Sequence, residues 1–230
     1  MSLMIERALA VVTKRIHQAC ALVGRDPKEI ELVLVTKSVD PARVKQAYDL
    51  GARNFGENRV QELLTKKEEL PKDIRWHFIG SLQSNKIKPL IGHVALIHSL
   101  DRIELARELE KQAAKQNLTA DVLIQVNTSH EETKHGFEPE AVEDAAHKMS
   151  QFKHLKARGL MTIGPLTADS QRTRESFRLL RTLQVRLKQN FPQGDWHYLS
   201  MGMSSDFEIA IAEGANLLRI GTAVFGARPR

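Results

Sequence analysis

Eight strand signals, each parted from the next by a stretch of helical character, constrain this chain more than any other feature. The first, Leu32-Val33-Leu34-Val35, is continuous rather than alternating, which suits a strand covered by helices on both faces. Further strands are expected at 53–56, 76–79, 94–98, 121–126, 155–162 (broken by Gly159), 196–200 and 217–220. Helices are expected between them at 41–50, 57–70, from 84 to about 89–92, at 101–116 with Asp101 as cap, 139–149, 170–190 and 204–213. Strands alternating with helices form parallel crossover units, and eight of them predict an α/β fold, a closed (β/α)8 TIM barrel. An open doubly wound sheet is the alternative, but no Gly-x-Gly-x-x-Gly turn follows any of these runs.

One more helix precedes the first run. Ile5, Ala8, Leu9, Val12, Ile16, Ala19 and Val23 fall at helical spacing, and Gly24 with Asp26-Pro27 turns the chain towards the first strand. Only about ten residues follow the eighth strand, too few for a long covering helix. The extra N-terminal helix is therefore expected to cover that gap. No linker or composition shift divides residues 1–230, so one domain is expected.

Several function classes are excluded early. No apolar run approaches the roughly 18 residues of a membrane span, and Glu6, Arg7, Lys14 and Arg15 interrupt any signal-peptide core. A lone cysteine, Cys20, forbids an internal disulfide and a multi-cysteine metal site, which points to the cytoplasm. The net charge of +6 would admit nucleic acid, but basic and acidic residues are mixed, as in Lys66-Lys67-Glu68-Glu69. Aromatics make up only 5%, too few for a base-stacking platform. A basic balance also suits a small phosphorylated ligand.

In a barrel the active site lies where the strands end. Those ends hold Lys37; Gly56-Glu57-Asn58; His77 to Gly80; His98-Ser99; Asn127; Met161-Thr162; Ser200 to Ser204; and Arg219 to Thr222. A lysine at the end of a buried strand is partly desolvated, and desolvation favours the neutral amine that attacks a carbonyl. It also simply marks where a strand meets water. Gly202 and Gly221 would let backbone approach an anion, with Ser200, Ser204 and Thr222 offering hydroxyls. Alternatively they are turn glycines, with Ser204 a helix cap. Arg219 is harder to dismiss, because a guanidinium beside a barrel interior needs a carboxylate, a ligand ring nitrogen or a phosphate. His77, His93 and His98 lack metal-motif spacing, and neither a hydrolase elbow nor a Walker loop is present.

Together a strand-one lysine, a strand-eight arginine and a phosphate cradle suit pyridoxal 5′-phosphate (PLP). Leu-Val-Thr-Lys (34–37), Phe-Gly-Glu-Asn (55–58), Trp-His-Phe-Ile-Gly-Ser-Leu-Gln-Ser-Asn-Lys (76–86), Arg-Gly-Leu-Met (158–161), Ser-Met-Gly-Met-Ser-Ser-Asp (200–206) and Arg-Ile-Gly-Thr-Ala-Val-Phe-Gly (219–226) carry a closer match. In these stretches the chain resembles the pyridoxal phosphate homeostasis protein family, barrels similar to the N-terminal domain of alanine racemase. The resemblance implies that Lys37 holds PLP as a Schiff base and that Arg219 faces the pyridine nitrogen. It places the phosphate among Ser200, Met201, Gly202, Ser204, Gly221 and Thr222, with Asn58 near the ring. It assigns no catalytic residue and no metal ligand, and gives Gln83, Asn85 and Lys86 no chemical role.

The resemblance also implies a vitamin B6 homeostasis role without turnover. An arginine on the pyridine nitrogen weakens the ring as an electron sink. Alanine racemases take a second proton carrier, a tyrosine, from a C-terminal domain of a partner subunit, and that domain is not expected here. The only tyrosines are Tyr48, inside a helix, and Tyr198, within a strand. A carrier for PLP is therefore expected, with PLP-dependent apoenzymes as recipients and a monomeric state. A weak PLP-dependent amino-acid racemase using Lys37 as base is the alternative.

Overall fold

The computed structural model describes residues 2–129, 131 and 135–227. Eight strands, β1 (Glu31–Val35), β2 (Asn54–Glu57), β3 (Arg75–Phe78), β4 (Leu96–Leu100), β5 (Ala120–Gln125), β6 (Leu155–Met161), β7 (Tyr198–Ser200) and β8 (Leu217–Ile220), run parallel and close in sequence order. Closure pairs Leu32 with Leu218 and Val33 with Arg219. The helices are α1 (Ser2–Leu22), α2 (Pro41–Asp49), α3 (Val60–Glu69), α4 (Ile103–Lys115), α5 (Val142–Met149), α6 (Ser170–Asn190), α7 (Phe207–Ala212) and α8 (Thr222–Phe225).

Continuous apolar strands follow from this architecture, because both faces of each strand are buried. Leu34, Phe55, Phe78, Ile97 and Ile220 face the layer between sheet and helices. Val33, Leu96, Leu123, Met161 and Leu217 fill a separate cluster inside the barrel. Alternation along β1 therefore puts Val33, Val35 and Lys37 on the interior side.

The helix α1 covers the expected gap, packing on α7, α8 and α2. Ile5, Val12 and Ile16 are buried there. Arg15 lies over the Phe207 ring at 4.6 Å and bridges to Glu208 at 2.6 Å. Arg25 Nη1 donates to the carbonyls of Ile211 and Ala215, which ties the end of α1 beneath α7.

Two local expectations need correction. The segment between β3 and β4 has only a 3-10 turn at Ser84–Lys86 instead of an α-helix. Pro89 and a left-handed Gly92 leave no room for a longer one. Asp101 does not cap α4; Arg102 occupies that position without a side-chain bond, and Asp101 instead pairs with the Arg102 guanidinium. Strand β6 continues past Gly159, but its register with β5 slips there: Val122 pairs with Ala157 and Ile124 with Leu160, and the φ of 147° and absent Cβ of Gly159 let the Tyr198 carbonyl press against it.

Candidate functional site

Lys37 stands just past β1, half-buried at the carboxyl face. Its backbone is held from behind by α3. Lys66 Nζ donates to the Thr36 carbonyl at 2.7 Å, and the Ser38 N–H donates to Glu62 Oε1 at 2.6 Å. Lys66 also bonds Glu57 Oε1 at 2.7 Å and Glu62 Oε1 at 2.8 Å, and Thr36 Oγ1 donates to Glu57 at 2.6 Å. Burial raises the Glu57 pKa, while the bonds from Lys66 and Thr36 pull it partly back. The peptides on both sides of Lys37 are thus fixed, and Ser38 is held at a left-handed φ of 60°. Among the described residues, Lys37 Nζ has neither a hydrogen bond nor an ion pair.

Lys37, Gly221 and Thr222 line one cleft together with Val35 and Arg43. A Cβ on Gly221 would come within 3.3 Å of Val35 Cβ, so glycine lets the end of β8 lie close against β1. Gly202 has a φ of 95°, and a Cβ there would sit 2.6 Å from Ala210 Cβ. Only glycine turns the chain so tightly over α7. Ser204 is not a helix cap; its Oγ accepts the Ala223 N–H at 3.2 Å and joins the loop after β7 to α8. Asp206 Oδ1 accepts the Met203 N–H at 2.6 Å and closes the same loop.

Arg219 lies inside the barrel, 5% exposed. Nη1 donates to Ser200 Oγ at 2.6 Å and Nη2 to the Thr162 carbonyl at 2.8 Å. Those bonds use two of the five guanidinium N–H groups, and no carboxylate is hydrogen-bonded to it among the described residues. Desolvation draws the Arg219 pKa down to about 10, partly offset by the Asp206 charge, which leaves the group cationic at neutral pH.

The remaining expected site residues divide. Asn58 follows β2, half-buried, and its carbonyl lies over Gly80, where a Cβ would come within 2.1 Å of it. Ser200 is fully buried, with its hydroxyl engaged by Arg219 and His98. Met201 buries its side chain in the outer core. Two residues not singled out from sequence also matter, Lys66 and Glu62, which hold the backbone on either side of Lys37.

Neither tyrosine stands at this face. Tyr48 Oη donates to Asp73 on the outer surface. Tyr198 Oη bonds Glu31 at 3.0 Å, at the amino end of the barrel. Among the described residues, no three His, Cys, Asp or Glu side chains gather as a metal site, and no helix is long and apolar enough to cross a membrane.

Residues 12–229 match the family model described as alanine racemase, N-terminal domain. A pyridoxal phosphate homeostasis protein of Aquifex aeolicus is 47% identical over 221 residues, covering 96% of each chain. Among solved structures, a protein from Bifidobacterium adolescentis superposes with a TM-score of 0.94 at 35% identity, covering 97% of this chain and 95% of that one. PipY of Synechococcus elongatus PCC7942, solved with PLP bound, superposes with a TM-score of 0.83 at 36% identity, covering 96% of this chain and all (100%) of the other.

Proposed function

From its membership in the pyridoxal phosphate homeostasis protein family, built on the alanine racemase N-terminal domain, we propose that this chain binds PLP and holds it in reserve for apoenzymes without turning over a substrate. Arg219 carries that reading: a buried, cationic donor with unused N–H groups and, among the described residues, no bonded carboxylate, whose guanidinium reaches Ser200 and Thr162 at the carboxyl ends of β7 and β6.

The donor set fits the group. Lys37 would hold PLP as a Schiff base, since its amine has no competing partner. Arg219 can only donate, which matches an unprotonated pyridine nitrogen as acceptor. Gly202, where a side chain would clash, and Gly221, where one would crowd Val35, would leave backbone room for a phosphate between the β7 and β8 loops, with Ser204 and Thr222 beside it. Asn58 and the main chain at Met201 would complete the surround, while Ser200 would act through Arg219. Bound PLP supplies an electrophilic carbonyl carbon and an electron-withdrawing ring. Arg219 would hold the ring nitrogen unprotonated, which weakens that withdrawal. Both tyrosines lie away from the mouth, so neither would carry a proton on the face opposite Lys37. These features favour a carrier over a racemase. We further infer a cytoplasmic monomer, to be checked by light scattering.

The test is a visible spectrum of the purified protein, followed by borohydride reduction and peptide mass mapping. A yellow protein with the reduced phosphopyridoxyl group on Lys37 is expected, with no racemisation of free amino acids. A protein that stays colourless after PLP is added overturns the reading. Turnover lost in Lys37→Ala would establish the racemase instead.

A further inference from the structure

Behind Arg219 the barrel interior carries a line of polar side chains that begins at Ser200 and continues through residues given no part in the site. His98 Nδ1 lies 2.9 Å from Ser200 Oγ, the same hydroxyl that Arg219 meets. His98 Nε2 lies 3.0 Å from His77 Nδ1, and His77 Nε2 lies 3.4 Å from Asn54 Oδ1. Five strands take part: β8, β7, β4, β3 and β2. Ser200, His98 and His77 are each 1% exposed or less.

The arginine fixes the direction of every bond in the line. A guanidinium only donates, so Ser200 Oγ accepts from Nη1 and must place its own proton elsewhere. The acceptor it has among the described residues is His98 Nδ1. His98 then carries its proton on Nε2 and donates to His77 Nδ1. His77 in turn carries its proton on Nε2, pointed at Asn54 Oδ1. The opposite order would strand the buried Ser200 proton without an acceptor, costing about 1–3 kcal/mol. It would also demand that Asn54 present its NH2 group instead of its oxygen.

We propose that His98, backed by His77, is a positioning residue for Arg219: a one-way chain of donors, Arg219 to Ser200 to His98 to His77 to Asn54, fixes the Ser200 hydroxyl and through it the guanidinium. Burial keeps both rings neutral, drawing His77 down to about 3 and His98 well below the usual imidazole range, with the nearby Arg75 and Arg219 charges acting in the same sense. The guanidinium is then the one cation within the line, anchored on its inner side with N–H groups to spare. The link from Arg219 to a ring nitrogen rests on the PLP reading above; the chain itself does not.

The test begins on the unaltered protein. Long-range imidazole ¹H–¹⁵N spectra at pH 7 should show His77 and His98 as neutral Nε2–H tautomers. An Nδ1–H or doubly protonated ring at either position overturns the proposal. The Arg219 Nη protons should be resolved and slow to exchange, and should merge in His98→Leu while persisting in His98→Asn, whose amide oxygen can replace Nδ1. Unchanged Nη signals in a folded His98→Leu would also sink it. With PLP, His98→Leu should bind roughly tenfold more weakly, the loss of one bond to a charged group, and His98→Asn within about twofold. If neither the parent nor the variants bind PLP, the carrier reading fails while the tautomers and Nη signals still decide the chain.

Discussion

Lys66 donates to the carbonyl of Thr36 at 2.7 Å, so a lysine of α3 holds the peptide that leads into Lys37. The same ammonium neutralises Glu57, which is fully buried beneath it. A cluster on the outer side of the sheet thereby sets where an inner side chain emerges.

Lys66→Met should therefore do two things. It leaves Glu57 buried without its cation, a loss of about 3–5 kcal/mol for a broken buried pair, read as a lower urea midpoint. It also frees the Thr36 carbonyl, and the variant should label more slowly at Lys37 with PLP and borohydride. Adding Glu57→Gln should restore much of the stability but not the labelling rate. Full recovery of both would show the cluster to be structural only.

Stability should fall on mild acidification because of His77 and His98. Their folded pKa values are depressed, so between pH 6.5 and about 3 the unfolded chain binds protons that the folded chain refuses. The stability they confer is complete above pH 6.5 and is lost as the pH drops, by about 1.4 kcal/mol per pH unit for each buried ring. Urea midpoints between pH 6.5 and 5 should show the slope, and His77→Gln should roughly halve it. An unchanged slope would mean the ring takes up a proton while folded.

Gly202→Ala should cost roughly 2–4 kcal/mol and weaken PLP binding, because a left-handed backbone and a clash with Ala210 coincide there. Gly24 provides the control. Its φ of 67° is also left-handed, yet nothing lies within 4 Å of a Cβ, so Gly24→Ala should cost only about 1 kcal/mol. Equal losses at the two sites would remove the packing argument.

Arg219→Glu replaces a donor with an acceptor at the barrel centre. It should favour a protonated ring nitrogen, shift the visible band of bound PLP and shorten its retention on gel filtration. An unaltered band and retention would place the ring nitrogen away from this residue.

Much of this was legible in the residues themselves. Runs such as Leu32 to Val35 read as strands because a doubly covered strand has no polar face to hide it, and Lys37 and Arg219 stood out as charges at or near the ends of such runs. The segment near Ser84 misled because its polar residues resemble a helix start, whereas Pro89 and Gly92 end the turn at once. Lys66 was concealed for another reason: within Lys66-Lys67-Glu68-Glu69 it reads as one more solvated charge, yet it is 3% exposed. The histidine line depends on register between strands far apart in sequence. Spacing alone gave no metal motif at His77 and His98, and it could not reveal that His77 meets His98 and that His98 meets Ser200.

The packing of α1 against α7 has a consequence for how the protein is made. Arg15 and Glu208 lie 193 positions apart, yet they meet across that contact. At about 5–20 residues per second, a ribosome needs roughly 10–40 s to deliver the second after the first. Throughout that interval α1, with its buried Ile5, Val12 and Ile16, lacks its α7 and α8 partners and has α2 to pack on. A helix made long before α7 is thus among the last to be fully covered, and nascent chains should be most vulnerable to chaperone capture or aggregation along that stripe.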